Sequence, residues 1–139
     1  MKINNHMKKY SVLILLILIG LSSCDDYPID EDGLLITDRS ECYVSNFELL
    51  DTDFQTVRTN NAVIDTMAQT IDVEVRWGTN LKKLWPQFTL VTDAKLEPKI
   101  TDWFDFSNLN SPSQWTVVSG DRKVKKTYTV TISVQQINP

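Results

Sequence analysis

The chain has 139 residues, of which 42% are hydrophobic and 23% charged, and its formal net charge is −4. Three of the lysines precede residue 24 and every acidic residue follows it, so the remainder is more acidic than the whole chain. Phosphate binding needs clustered Lys and Arg, so this balance excludes nucleic acid as an expected partner. The only histidine, His6, also precedes residue 24, which argues against histidine-dependent catalysis or zinc binding in the remainder.

The first 24 residues resemble the signal peptide of a bacterial lipoprotein. Lysines lead into an unbroken apolar run over residues 12–19, and Leu-Ser-Ser then precedes Cys24. The run is shorter than the roughly 20 residues that a transmembrane helix needs. The last four residues resemble a lipobox, which implies that residues 1–23 are removed and that Cys24 is acylated and anchors the protein in a membrane. The alternative is an ordinary secretory signal followed by a coincidental cysteine.

Residues 24–41 are predicted to form a lipidated cysteine followed by an acidic linker. Acidic side chains crowd residues 25–32, so the segment should repel itself, stay extended and hold the domain off the membrane. Acids directly after Cys24 resemble the export signals of surface lipoproteins in Bacteroidota, which implies a location on the outer membrane facing outwards. Those signals often carry a further residue before the acids, so the periplasmic face stays open as an alternative.

The chain beyond residue 41 has the period of β-strands. Residues 70–77 alternate strictly, which places Trp77 on the same inward face as the aliphatic residues before it, and residues 128–134 repeat the pattern. A tight turn is expected at 119–122, because Gly120 can adopt a positive φ. No segment has a helical period. Shorter strands are predicted at 43–50, 54–57, 62–64, 87–91 and 114–118. Seven or eight short strands predict an all-β, immunoglobulin-like antiparallel β-sandwich over residues 42–139.

Four tryptophans in so small a domain suggest a carbohydrate ligand, because flat aromatic rings stack on the apolar faces of sugars. Trp77 and Trp115 lie in inward register and are predicted to be core residues. Trp85 and Trp103 lie in loops or at strand ends, where a ring can be exposed; the alternative is that they anchor loops. The candidate ligand-binding residues are Trp85, Trp103, Asp102, Asp105 and Asn108.

No catalytic residues, metal ligands or cofactor are predicted. Asp102 and Asp105 are the one acidic pair worth testing as glycosidase carboxylates, but a domain of this size leaves little room for a substrate cleft. The glycines are scattered and form no phosphate loop, and no calcium loop is present. With Cys24 acylated, Cys42 has no disulfide partner and is expected to be buried and inert. The basic residues of 122–126 are interpreted as a solvated turn rather than a binding patch.

Residues 21–26, 71–75, 78–88 and 128–132 together carry a resemblance to a known group of proteins. The mature chain resembles short Bacteroidota lipoproteins with an immunoglobulin-like or PKD-like domain, often encoded near SusC/SusD-type glycan-uptake systems. The resemblance implies that the protein acts alongside a glycan-uptake system, and it identifies no functional residues in this chain. Residues 65–67 also resemble the sequence at which Bacteroidota attach O-linked glycans, which implies Thr66 as a modification site in a solvent-facing turn.

Two hypotheses follow from these observations. The first is a non-catalytic surface binding module, anchored in the outer membrane, for a glycan or for a partner of the uptake machinery; it predicts at least one exposed tryptophan. The second is a structural or adhesive surface lipoprotein that binds other proteins by strand addition at an exposed edge. The second hypothesis predicts that the tryptophans are buried.

Overall fold

A computed structural model describes residues 28–138 as an all-β body without helices. The signal peptide at 1–23 and the proposed lipidation site, Cys24, lie outside the described residues. Within the described range, no helix has the length and apolar character needed to cross a membrane. The seven strands are β1 (Val44–Leu50), β2 (Val63–Asp65), β3 (Thr70–Val75), β4 (Trp85–Leu90), β5 (Lys95–Glu97), β6 (Ser113–Val118) and β7 (Lys125–Val134).

The strands form two sheets. Strands β1 and β4 pair antiparallel, and the other five lie in the order β2-β3-β7-β6-β5. Every pair in the larger sheet is antiparallel except β3 and β7, which run parallel with Ile71 opposite Val130. The wholly antiparallel arrangement that the sequence predicts is therefore wrong at this pair. A parallel pair needs a long crossover connection, and the chain from β4 through β6 supplies it.

The two sheets pack against each other across one hydrophobic core. Phe88 of β4 lies between them, with its ring centroid 4.8 Å from that of Phe47 on β1 and 5.2 Å from that of Trp115 on β6. Tyr128 of β7 is fully buried, and its hydroxyl accepts a hydrogen bond from the Val44 amide at 3.4 Å. Aromatic packing thus holds the sheets together without a disulfide. An immunoglobulin-like topology stays a prediction.

Six of the seven predicted strands are present, and the structure differs from the prediction in two places. Residues 54–57 are predicted to be a strand, but Phe54 has a φ of 57° and Thr56 makes only an isolated bridge to Leu50. The Asp51 carboxylate accepts bonds from the amides of Asp53 and Gln55 and so closes a turn there. The structure also adds β5, whose three residues are too few to show a period.

Residues 28–41 pack against the folded body instead of standing away from it. Asp30 Oδ2 lies 2.9 Å from Lys95 Nζ and 3.0 Å from Arg122 Nε, and the Asp30 and Lys95 side chains are only 9% and 8% exposed. The Thr37 amide donates to the Gly120 carbonyl at 2.9 Å. The extended acidic linker predicted over 24–41 is therefore wrong for the part described. Two cations neutralise Asp30, so repulsion among the acids does not decide the conformation.

The turn between β6 and β7 occurs where predicted but is built differently. Gly120 does not have the positive φ expected of it; Arg122 does, at 63°. A Cβ at Gly120 would collide with Thr37 Oγ1 and lie 2.9 Å from Asp93 Cβ, so glycine is needed for close approach. Arg122 is not solvated either, since its side chain is 15% exposed and donates to the Leu35 carbonyl at 3.1 Å. The neighbouring Lys123 and Lys125 are exposed, as predicted.

Candidate functional site

Three aromatic rings meet at the surface where β1 ends and β4 begins; we call Phe54, Trp85 and Trp103 the aromatic surface. The centroid of Trp103 lies 5.6 Å from that of Trp85, edge-on at 78°, and 5.6 Å from that of Phe54. Phe54 is 63% exposed and both tryptophans are half-buried. The two tryptophans singled out from the sequence therefore lie together, with Phe54 as an unpredicted third member.

An antiparallel bridge explains why Trp85 and Trp103 meet. The Leu84 amide donates to the Phe104 carbonyl at 3.0 Å, and the Phe104 amide donates back to the Leu84 carbonyl at 2.8 Å. Trp85 follows one partner of this bridge and Trp103 precedes the other, so the two residues are neighbours across it. Leu84 is fully buried and fixes the bridge in the core.

The aromatic surface carries one cation and one carboxylate close by. Lys83 Nζ lies 5.7 Å from the centroid of the Trp103 ring, a cation–π distance. The Asp102 carboxylate accepts a hydrogen bond from the Trp103 amide at 2.7 Å. Asp102 and Trp103 also line a shallow depression of about 210 Å³ together with Lys99 and Trp115. Asp102 is thus the one predicted polar candidate that lies beside the tryptophans.

Asp105 and Asn108 lie at a different place. They line a depression of about 180 Å³ that also includes Phe106 and Thr131. Hydrogen bonds from Ser107, including one from its amide at 2.8 Å, lower the pKa of Asp105. A general acid of a glycosidase needs a raised pKa, so the Asp105 carboxylate does not suit that role. The five candidate residues therefore divide between two surfaces.

The two predicted core tryptophans behave differently. Trp115 is 3% exposed and packs against Phe88 and Phe104 at centroid distances of 5.2 and 5.1 Å, so its prediction is confirmed. Trp77 is 65% exposed, so the core prediction for it is wrong. Strand β3 ends at Val75, and Gly78 has a φ of 83° in the turn that follows. The alternation of buried and exposed residues predicts where a side chain points only within a strand, and Trp77 lies beyond the end of β3.

Thr66 lies in the exposed turn between β2 and β3. The Asp65 carboxylate accepts bonds from the amides of Met67 at 3.0 Å and Ala68 at 2.9 Å, and Met67 is 90% exposed. The turn faces solvent, as the resemblance implies, and the attachment of a glycan stays a prediction. Among residues 28–138, no group of three or more metal-ligating side chains is close enough together to hold an ion.

An all-β body that presents adjoining aromatic rings at its surface has the features of a binding module. The chain belongs to the family described as "SGBP, N-terminal", which matches residues 51–132 and comprises glycan-binding surface proteins of Bacteroidota. The match begins at the Asp51 turn and ends within β7, so it covers the aromatic surface. No curated protein matches the chain significantly.

Solved structures from Bacteroides share the fold. A candidate glycoside hydrolase from Bacteroides thetaiotaomicron is 30% identical over 70% of this chain, with a TM-score of 0.58. A DUF4623 family protein from Bacteroides eggerthii is 15% identical over 70% of the chain, with a TM-score of 0.52. This chain covers 26% and 22% of those two proteins, so it spans about a quarter of the length of each.

Proposed function

We propose that the protein is a lipid-anchored glycan-binding protein of the outer membrane, exposed at the cell surface, and that the aromatic surface contacts the sugar. The observation that carries the proposal is the contact of Trp103 with both Trp85 and Phe54 at 5.6 Å. Scattered exposed rings are common on proteins, but adjoining rings rimmed by polar groups are typical of ligand sites. Membership of a family of glycan-binding surface proteins supports the same function.

The chemistry of the aromatic surface suits a neutral sugar. Phe54 and Trp103 offer apolar rings for the C–H faces of a sugar, and the exposed Asp102 carboxylate offers a polar group for its hydroxyls. Lys83 lies over Trp103 and is exposed, so a ligand can displace it without breaking the core. Asp102 and Asp105 line two different depressions, so they do not offer a pair of carboxylates on either side of one sugar, and the proposal is binding without hydrolysis.

The proposed anchor consists of acyl chains attached to the thiol and to the new amino terminus of Cys24. This anchor would bring the domain to the outer membrane, next to a partner of the glycan-uptake machinery. Several acyl chains give stable attachment where one gives only marginal binding. Mass spectrometry of the protein made in cells should find acyl chains on residue 24 of the wild type and none on the Cys24→Ala variant. Mass spectrometry of an unmodified Cys24 would contradict the anchor.

Sugar binding is tested with the full-length protein, extracted in detergent, on an array of neutral oligosaccharides. Wild type should bind, and Phe54→Ala and Trp103→Ala should bind at least several-fold more weakly because each removes a stacking face. Val63→Ala is the matched control, since Val63 is 67% exposed and lies on the edge strand β2 instead. Equal binding by all four proteins would show that the aromatic surface does not contact the sugar. If the wild type bound none of the oligosaccharides, the proposed glycan-binding function would be wrong.

A structural or adhesive role is the second candidate, and the edge of the larger sheet favours it. Strand β2 is an outer strand with Val63 exposed, so one side of it is open to another strand. This hypothesis predicts buried tryptophans, however, and Trp77 is 65% exposed. Val63→Lys should abolish adhesion to a partner protein if β2 is the contact, while leaving glycan binding unchanged.

A further inference from the structure

A second surface with an exposed indole lies next to the turn that carries Phe54. A groove of about 360 Å³ separates residues 51–57 from the turn at 76–80, and Trp77 lines it. Trp77 is the most exposed tryptophan of the described chain, at 65%. The groove shares no residue with the aromatic surface. We call it the Trp77 groove.

Hydrogen bonds hold both walls of the Trp77 groove in place. The Arg76 amide donates to the Val57 carbonyl at 2.9 Å, and the Arg76 guanidinium donates to the Thr56 carbonyl, so the two walls are tied together. The Thr79 hydroxyl donates to the Arg76 carbonyl at 2.6 Å and closes the turn around Trp77. On the opposite wall the Asp51 carboxylate closes the turn that carries Phe54. A preformed groove binds a ligand with less loss of conformational entropy.

The polar groups of the Trp77 groove match the hydroxyls of a sugar. Asn80 Oδ1 accepts a bond from the Lys82 amide at 3.1 Å, which leaves the Asn80 amide nitrogen without a protein partner in residues 28–138. Asp51 uses Oδ1 for its turn, and Gln55 offers a carbonyl oxygen. The groove contains one carboxylate and one guanidinium, so its charge is balanced. A neutral, hydroxyl-rich ligand suits it better than an anion or a cation.

We infer that the Trp77 groove is a second carbohydrate subsite, in which the Trp77 indole stacks on a sugar ring and Asp51, Gln55 and Asn80 bind hydroxyls. The inference rests on the proposed function, since it assigns a further contact to the same glycan ligand. Phe54 lies in the turn that supplies Asp51 and Gln55 to the groove, so one oligosaccharide contacts both surfaces. Longer oligosaccharides therefore bind more tightly than disaccharides.

The test compares full-length wild type, extracted in detergent, with Trp77→Ala, Asn80→Ala, Phe54→Ala and the control Val63→Ala. The probes are maltohexaose, cellohexaose, xylohexaose and mannohexaose with the corresponding disaccharides, and the readout is isothermal titration calorimetry. Trp77→Ala should weaken binding of the preferred hexasaccharide about tenfold, and Asn80→Ala several-fold. Both replaced residues are exposed, so the melting temperature should stay within about 2 °C of wild type.

The possible outcomes distinguish failure of the Trp77 groove as a subsite from failure of the proposed glycan-binding function. Wild type that binds none of the probes overturns both. Weaker binding by Phe54→Ala with unchanged binding by Trp77→Ala and Asn80→Ala overturns the groove and leaves the aromatic surface as the site. The reverse pattern supports the groove and overturns the aromatic surface. Acrylamide quenching of tryptophan fluorescence gives a second readout, because a bound hexasaccharide should protect wild type and should protect Trp77→Ala far less.

Discussion

The ammonium of Lys95 lies 2.9 Å from the carboxylate of Asp30, and both side chains are more than nine-tenths buried. Hydrogen bonding to Lys95, with further bonds from the Leu34 amide and Arg122, holds the pKa of Asp30 well below its ordinary value of 3.8. The hydrogen bonds that the Lys95 ammonium donates to the carboxylates of Asp32 and Asp30 in turn raise the pKa of Lys95 above its ordinary value of 10.5. This pair fastens residues 28–41 to strand β5.

The ion pair should make stability depend on pH at both extremes. Because the pKa of Asp30 is lowered in the folded protein, its carboxylate stabilises the fold at pH values above its unfolded pKa, and this contribution is lost as the pH falls toward the folded pKa. Because the pKa of Lys95 is raised, its ammonium stabilises the fold below pH 10.5, and this contribution is lost as the pH rises further. The free energy of unfolding, from urea denaturation, should fall between about pH 5 and pH 2 less steeply in Asp30→Asn than in wild type. Asp38→Asn, at an exposed position, should keep the wild-type slope. Identical slopes for wild type and Asp30→Asn would contradict the prediction.

Gly120→Ala should loosen the packing of residues 28–41 on the β6–β7 turn. The new Cβ meets Thr37 Oγ1, lies 2.9 Å from Asp93 Cβ and lies 3.2 Å from the Arg39 carbonyl, so the expected loss is about 1–3 kcal/mol of unfolding free energy. Thr37→Ala removes one of these clashes, so the double variant should recover part of the loss. Hydrogen exchange at the Thr37 amide, bonded to the Gly120 carbonyl, should be faster in Gly120→Ala. Unchanged exchange there would count against the clash.

Two tryptophan variants should differ sharply in stability. Trp115→Ala empties a site packed by Phe88, Phe104 and Phe106 and should cost about 3–5 kcal/mol. Trp77→Ala removes a ring that is 65% exposed and should change stability by about 0.5 kcal/mol or less. Urea denaturation followed by circular dichroism measures both. A large loss in Trp77→Ala would show that the ring packs against the body.

Cys42 should react slowly with thiol reagents while the protein is folded. Burial raises the pKa of its thiol, and Sγ donates to the Val117 carbonyl at 3.1 Å. Ellman's reagent at about pH 8 should therefore report almost no thiol in the folded protein and one thiol per chain in urea. The chain has two cysteines, so a count of two in urea would show that Cys24 is not acylated.

The sequence predicted best where one face of a strand is buried along its whole length. Strands β3 and β7 lie in the interior of the larger sheet, so alternation placed Ile71 and Val130 correctly. It failed at Trp77 because alternation shows the register of a strand and not its last residue. The parallel pairing of β3 with β7 is a long-range choice that neither strand's pattern contains.

The candidate site was predicted in part for similar reasons. Loop position identified Trp85 and Trp103, but only the Leu84–Phe104 bridge brings them together. The strand predicted over residues 54–57 gives no reason to single out Phe54, which instead lies in a turn with a positive φ. An apolar ring within the polar turn after Asp51 was the available signal. The packing of residues 28–41 could not be predicted, since Asp30 finds its cations only after β5 and the β6–β7 turn have formed.

Packing of residues 28–41 against the body also sets how far the domain can stand from a bilayer. With Cys24 acylated, the chain to Pro28 spans at most about 14 Å, whereas a free linker to Cys42 would reach about 60 Å. Residues 28–41 contact the β6–β7 turn near the end of β1 where Val44 pairs with Leu90, whereas Leu50 pairs with Trp85 at the opposite end. An anchor at Cys24 would therefore hold the lipid at one end of the domain and leave the aromatic surface at the other.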